Sequence, residues 1–254
     1  MIILTVLILI LSLNGCASSN YAKISRDIKE AYQGQPEGYL KADELPNSTL
    51  LLPSPPQPGS AAWANDMEIS VKYLNSDDSL RWKQAQVDAN LDFPDAINEF
   101  TSYLKPGISL ETTPFLYLLL QRVIEDASQS TYAAKVYFRR QRPFLVNNLP
   151  TCDPASEPYL RNSGSYPSGH AAIGWTWALI LTELFPDQAN AILQRGRELG
   201  ESRVVCNLHW HSDVVEGRTM GAATVAALHA NSKFIHDLKK AKLEIKRLKE
   251  HKPE

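Results

Sequence analysis

The chain has no surplus of positive charge: Lys and Arg number 26 against 28 for Asp and Glu, so it carries neither the field of a nucleic-acid-binding protein nor an acidic tail. Any basic site must be local. A second long apolar run is also missing, because after residue 13 the most apolar uncharged stretch is Ala171 to Thr182, well short of the about 18 residues that a spanning helix requires. That excludes a protein with several membrane spans. Runs of β-branched alternation are few and internal repeats are absent, which argues against a sheet protein or a solenoid. Cysteine is scarce, with only Cys16, Cys152 and Cys206. What remains is 254 residues, 44% of them hydrophobic, enough to bury a full core in one domain.

Residues 1–20 read as a signal peptide: the first thirteen are nearly all apolar, and Asn14, Gly15, Cys16 and a small polar run follow. Leu13-Asn14-Gly15-Cys16 resembles a bacterial lipoprotein signal, in which Cys16 would carry the lipid; ordinary cleavage a few residues later is the alternative. Either way Cys152 and Cys206 are left as an even pair. In an oxidising compartment a disulfide between them is the economical reading, against two buried free thiols. Export to the periplasm or beyond is expected, with a membrane tether if Cys16 is lipidated.

Residues 21–60 read as an extended N-terminal arm over the surface, since Pro46, Pro53, Pro55, Pro56 and Pro58 disfavour helix. From residue 61 to residue 254 the apolar spacing is helical, over 61–74, 79–91, 94–103, 113–140, 170–185, 187–201, 209–230 and 232–250. The expected fold is all-α, a compact single-domain helical bundle. The charged tail from Lys239 to Glu250 reads as a solvated terminal helix anchored sparsely by Leu243, Ile245 and Leu248.

Three segments carry chemistry. Lys135 and Arg142 lie seven residues apart, two turns of one helix, which would put both heads on one face roughly 10 Å apart along the axis, with Pro143 ending the helix. Arg139 and Arg140 between them read as a solvated basic face. In Tyr166-Pro167-Ser168-Gly169-His170, Ser168 is a candidate N-cap, and the free N–H groups behind it face any anion with the helix dipole in support. Gly169 lets backbone approach a phosphate oxygen. Last, Arg203 precedes His209, and Asp213 follows that histidine at i+4, where on a helix it would accept the Nδ1 proton and leave Nε2 free as a nucleophile. The bland alternative is a surface His–Asp pair. His209, His211 and Asp213 also invite a metal reading, but alternating ligands suit a strand and this segment reads as helix. His211 points to another face and is read as a solvent-exposed or locally bonded side chain.

Taken together, Lys135 with Arg142-Pro143, then Pro167-Ser168-Gly169-His170, then Ser202-Arg203 with His209 and Asp213, resemble the three-part signature of the type 2 phosphatidic acid phosphatase superfamily. That superfamily also holds vanadium haloperoxidases and lipid phosphatases. Gly164-Ser165-Tyr166 before the second motif, and Gly200-Glu201-Ser202-Arg203-Val204-Val205-Cys206, resemble bacterial class A non-specific acid phosphatases. The resemblance implies a phosphohistidine on His209 oriented by Asp213, with His170 as general acid and then base. Lys135, Arg142, Ser168, Gly169 and Arg203 would bind phosphate. No metal or other cofactor is implied. The implied substrates are phosphate monoesters, nucleotides among them, with no nucleic-acid partner and with a homo-oligomer left open. The competing readings are a vanadate-dependent haloperoxidase using the same anion pocket and a non-catalytic phosphate-binding lipoprotein, which would need the cations but neither histidine.

Overall fold

The structure, a computed structural model, describes residues 36–74, 79–105 and 107–250. The signal peptide, Cys16 and the first part of the arm lie outside the described residues. Twelve α-helices and one 3₁₀ turn are present among the described residues, and no strand. In chain order they are α1 (Ser48–Leu51), α2 (Ala61–Leu74), α3 (Ser79–Val87), α4 (Asp95–Phe100), α5 (Pro114–Ser130), α6 (Tyr132–Phe138), α7 (Pro143–Asn147), α8 (Glu157–Leu160), α9 (Gly169–Leu184), α10 (Ala189–Val205), α11 (His211–Ala230) and α12 (Ser232–Glu250).

The central helix is α9, whose sequence is apolar almost all round, and ten of its sixteen residues are buried. It packs against α5, α10 and α11. Trp177 anchors it, meeting Phe93 and Phe100 edge to face and donating its indole N–H to the Leu120 carbonyl at 3.0 Å, so a large ring is buried without an orphaned donor. At the N-terminal end of α9, α11 comes close enough that a Cβ on Gly217 would lie 2.5 Å from the Ser168 carbonyl. That glycine lets the two helices that carry the second and third motifs meet.

Four expectations are corrected. The stretch 113–140 is two helices, not one: Ser130 Oγ and Thr131 Oγ1 donate back to the carbonyls of Ala127 and Ser128, which competes with the helical ladder, and the chain breaks between α5 and α6. Helix α6 then stops at Phe138, because Arg139 takes the left-handed conformation at φ 47°. The arm is neither wholly extended nor wholly superficial. One helical turn, α1, fits between Pro46 and Pro53 and is capped by Asn47, and Tyr39 is buried in the main core against Phe234. The Asp126 carboxylate accepts the Tyr39 and Leu40 N–H groups at 2.9 Å each, which staples the arm to α5. In α12 the buried positions are Phe234, Leu238, Ala241, Glu244 and Ile245, at helical spacing, while Leu243 is exposed.

Candidate active site

The site forms where α6, the N-termini of α9 and α11 and the C-terminus of α10 converge. Helix α10 ends at Val205, and after Asn207 turns at φ 59° the N–H groups of Leu208 and His209 both bond back to the Arg203 carbonyl at 3.1 Å. This tight return fixes Arg203 beside His209. The disulfide Cys152–Cys206 ties the same turn to the loop between α7 and α8, with Cys152 N–H bonded to the Cys206 carbonyl at 3.3 Å.

His209 lies outside the helix on which the spacing placed it. Trp210 is the N-cap of α11, and Asp213, at the third helical position, accepts the Trp210 N–H at 2.9 Å and faces His209 Nδ1 at 3.2 Å, both through Oδ2. The pair is thus made by a capping geometry rather than by side chains one turn apart on a helix. On the other ring nitrogen, Arg142 Nη1 lies 3.0 Å from Nε2. A guanidinium can only donate, so Nε2 holds the lone pair and Nδ1 holds the proton given to Asp213.

Lys135 and Arg142 also do not share a helix. Helix α6 has ended, Arg142 is extended at ψ 154°, and Pro143 opens α7. The two cations still meet, because Lys135 Nζ and Arg142 Nη2 both donate to the Gly164 carbonyl at 3.3 Å. Gly164 sits so close to α6 that a Cβ there would be 2.4 Å from the Lys135 carbonyl. Arg142 is further fixed by the carbonyls of Leu160, Ser163 and Leu208.

Ser168 caps α9, its Oγ accepting the Ala171 N–H, and its own N–H bonds to the Asp213 carbonyl at 2.8 Å. His170 is half-buried, and its Nε2 lies 3.1 Å from the Ala89 carbonyl. A carbonyl only accepts, so Nε2 carries the proton and Nδ1 is the nitrogen left with a lone pair. Ala89 is in turn placed by its neighbour Asp88, which is buried and bound by Arg195 and Ser202.

Charge decides the protonation of this cluster. Burial, with Arg142, Lys135 and Arg203 close by, holds His209 well below the usual imidazole range, and burial with Arg203 does the same to His170. Both are neutral at rest. Lys135 is lowered to about 7 by burial and by Arg142, against the pull of Asp213. Burial lowers Arg142 and Arg203 to about 10, which leaves both charged. Arg203 is only 2% exposed, yet its Nε and Nη1 have no hydrogen-bond partner. Two buried guanidinium donors without an acceptor beside a neutral imidazole make an anion site.

The structure therefore brings together Lys135, Arg142, Ser168, Gly169, His170, Arg203, His209 and Asp213. It adds residues the motifs did not offer. Arg140, read from sequence as part of a solvated face, is buried and donates to Asp213 Oδ1 at 2.6 Å and to Asp66 Oδ2 at 2.7 Å. Asp66 on α2 and Asp88 after α3 are likewise buried carboxylates that the sequence did not single out. Their one sequence signal is weak: both sit at positions in amphipathic segments where a charge is unexpected. Among the described residues no three His, Cys, Asp or Glu side chains converge as metal ligands.

The family model described as the PAP2 superfamily matches residues 112–236, a span that holds all eight residues of the cluster. A non-specific acid phosphatase of Providencia stuartii is 41% identical, covering 83% of this chain and 86% of that protein. One from Salmonella typhimurium is 38% identical over 80% of this chain and 82% of its own length, and an acid phosphatase of Zymomonas mobilis is 36% identical over 78% and 75%. A solved structure, the first bacterial vanadium-dependent iodoperoxidase, superposes on 72% of this chain and 53% of that one with a TM-score of 0.44 and 14% identity.

Proposed function

Since the chain belongs to the PAP2 superfamily and, within it, to the acid phosphatases, we propose that it hydrolyses a broad range of phosphate monoesters, nucleotides among them, through a phosphohistidine on His209. In the first step Nε2 of His209 attacks phosphorus in line, the P–N bond forms, and the P–O bond to the leaving alcohol breaks. His170, which takes up a proton from solvent on Nδ1 once phosphate is bound, gives that proton to the leaving oxygen. In the second step His170 takes a proton from water, the water oxygen bonds to phosphorus, the P–N bond breaks, and His209 and inorganic phosphate are released.

The observation that carries this reading is Arg203, whose buried Nε and Nη1 lack partners close to an imidazole that is neutral and already presents the lone pair. A phosphate entering there meets Arg203, Arg142 and Lys135, and its negative charge offsets the cations that keep His170 unprotonated, so binding itself arms the acid. Asp213 keeps the Nδ1 proton in place and balances the positive charge that grows on His209 as the P–N bond forms. Gly169 supports the cradle as well. A Cβ there would meet nothing of the protein nearer than 3.9 Å, so close packing does not demand glycine, whereas close approach of an oxygen to its N–H would.

The enzyme is proposed to work outside the cytoplasm. The Cys152–Cys206 bond supports an oxidising compartment, and Cys16 would add a lipid tether. No described helix is long and apolar enough to cross a membrane. Membrane fractionation beside Cys16→Ser, with N-terminal mass analysis, tests the tether; equal recovery of both proteins in the soluble fraction would reject it. The chemistry is tested by rapid quenching with labelled substrate, which should trap acid-labile phosphate on His209. Near wild-type turnover by His209→Ala would remove the mechanism.

A further inference from the structure

Asp66 and Arg140 belong to no part of the signature, and neither reaches His209. Both are buried, at 1% and 8% exposure, and they form a polar unit behind Asp213 in which only Arg140 Nε lacks a partner. Arg140 Nη1 donates to Asp213 Oδ1 at 2.6 Å and to Ser212 Oγ at 2.7 Å, while Nη2 donates to Asp66 Oδ2 at 2.7 Å. Asp66 Oδ1 accepts the Ser212 N–H at 2.9 Å, which fixes α2 to the first turn of α11. The guanidinium is flanked by Trp63 and Trp210, at 5.6 and 5.5 Å from their ring centroids, so water has little access to it.

The two oxygens of Asp213 are thus divided. Oδ2 serves His209 and Trp210, and Oδ1 serves Arg140. A bare carboxylate beside an imidazole makes it more basic, and a histidine that gains a second proton at acid pH cannot attack phosphorus. A nucleophilic histidine in an acid phosphatase needs the orientation Asp213 gives without its full basicity. From this geometry we infer that Asp66 and Arg140 are positioning residues that set the proton affinity of His209, by fixing how much of the Asp213 charge the imidazole meets. Arg140 draws that charge away, and Asp66 limits how far it does so. This rests on the reading of His209 as the nucleophile.

Other groups act on His209 too: Lys135 from α6, Arg142 from the segment after it, His170 from α9 and Arg203 from α10. The test therefore leaves them intact and changes only the pair. In kcat/KM against pH, Arg140→Gln exposes Asp213 and should move the acid limb up by roughly one pH unit, a loss of about tenfold at a fixed pH on that limb. Asp66→Asn leaves Arg140 to act on Asp213 alone and should move the limb down. Arg140→Lys keeps the charge and should restore the position of the limb even where turnover falls.

Opposite shifts from two buried partners are not what lost packing produces, since that lowers rate in both variants and leaves the limb in place. Imidazole NMR titration of the free enzyme reads the same shifts without any contribution from substrate ionisation. Should Arg140→Gln fail to fold, Asp66→Asn against wild type decides alone, and an unmoved or raised limb overturns the inference. His209→Ala separates this from the reading beneath it: retained turnover there defeats the nucleophile itself, whereas an inactive His209→Ala with unmoved limbs in both partner variants defeats only the role of the pair.

Discussion

Arg142 Nη1 lies 3.0 Å from Nε2 of His209, so at rest a cation holds the lone pair that, in the proposed mechanism, attacks phosphorus. In that mechanism the guanidinium turns that N–H to a phosphate oxygen on binding, which would free Nε2 only when substrate is present. Arg142→Ala should lower kcat/KM by roughly 100-fold or more and weaken inhibition by vanadate, a mimic of the five-coordinate phosphoryl group. Arg142→Lys should recover little, since an ammonium lacks the fork that reaches the Leu160, Ser163, Leu208 and Gly164 carbonyls at once. Steady-state kinetics with both variants checks this, and a lysine variant equal to wild type would show that charge alone suffices.

His170 should matter in proportion to the leaving group. On the proposed mechanism its replacement by alanine removes a proton donor worth roughly 10²- to 10⁴-fold on a simple alkyl phosphate and far less on a nitrophenyl ester, whose oxygen leaves without help. Plotting log kcat against leaving-group pKa for His170→Ala and wild type should give a steeper line for the variant. Parallel lines would take the acid role away from this residue.

Stability should fall with rising pH across one window because of Glu244. Burial pushes its carboxyl up to about 7 from 4.5, against two hydrogen bonds from the Phe115 and Leu116 N–H groups at the start of α5. Between those values the folded chain keeps a proton that the unfolded chain has released, so stability contributed by this group is present at acid pH and is lost as pH rises toward 7, by up to about 3 kcal/mol. Glu244→Gln should flatten that slope while keeping one of the two acceptors for α5. His170 and His209, held neutral by burial, act with the opposite sign and favour folding less as pH falls below 6.5. The measurement is therefore the difference between Glu244→Gln and wild type in urea midpoints from pH 4.5 to 7, and a difference independent of pH would count against the assignment.

Reduction of Cys152–Cys206 should cost stability and activity together. The bond closes a loop with a sequence separation of 54, worth roughly 4 kcal/mol by the chain-entropy relation, and it anchors the turn that sets Arg203 against His209. Cys152→Ser with Cys206→Ser should unfold at lower urea and bind vanadate less tightly. Mass spectrometry of the denatured, unreduced protein counts the thiols directly, and two free ones would contradict the bond.

The helices were legible because apolar residues at three and four spacing leave little choice in chains without strand-like alternation, and α2, α9, α11 and α12 start or stop within two residues of the expected ends. Boundaries set by one residue's backbone were not legible. Nothing in the spacing marks Arg139 for φ 47°, and without that turn Lys135 and Arg142 read as one helical face. The candidate site residues lie in motifs, so type and order single them out, whereas Arg140 and Asp66 take their meaning from a pairing 74 residues apart, which periodicity cannot report. Arginine in a basic run looks solvated until its carboxylates are seen.

The arm changes what order of assembly the chain can follow. Tyr39 bonds to Asp126, 87 residues later, and to Asp237, 198 residues later, and its carbonyl accepts from Asn231. Contacts of that reach form slowly, because each must first bear the entropy of closing a long loop. The segment around Tyr39 therefore gains all its partners only once α12 has docked, while the Tyr166 hydroxyl, bonded to the Pro53 carbonyl, ties the same arm to the turn that leads into Ser168. A chain cut before α12 would keep every motif residue but lose Phe234 and Asp237, two of the partners that hold Tyr39.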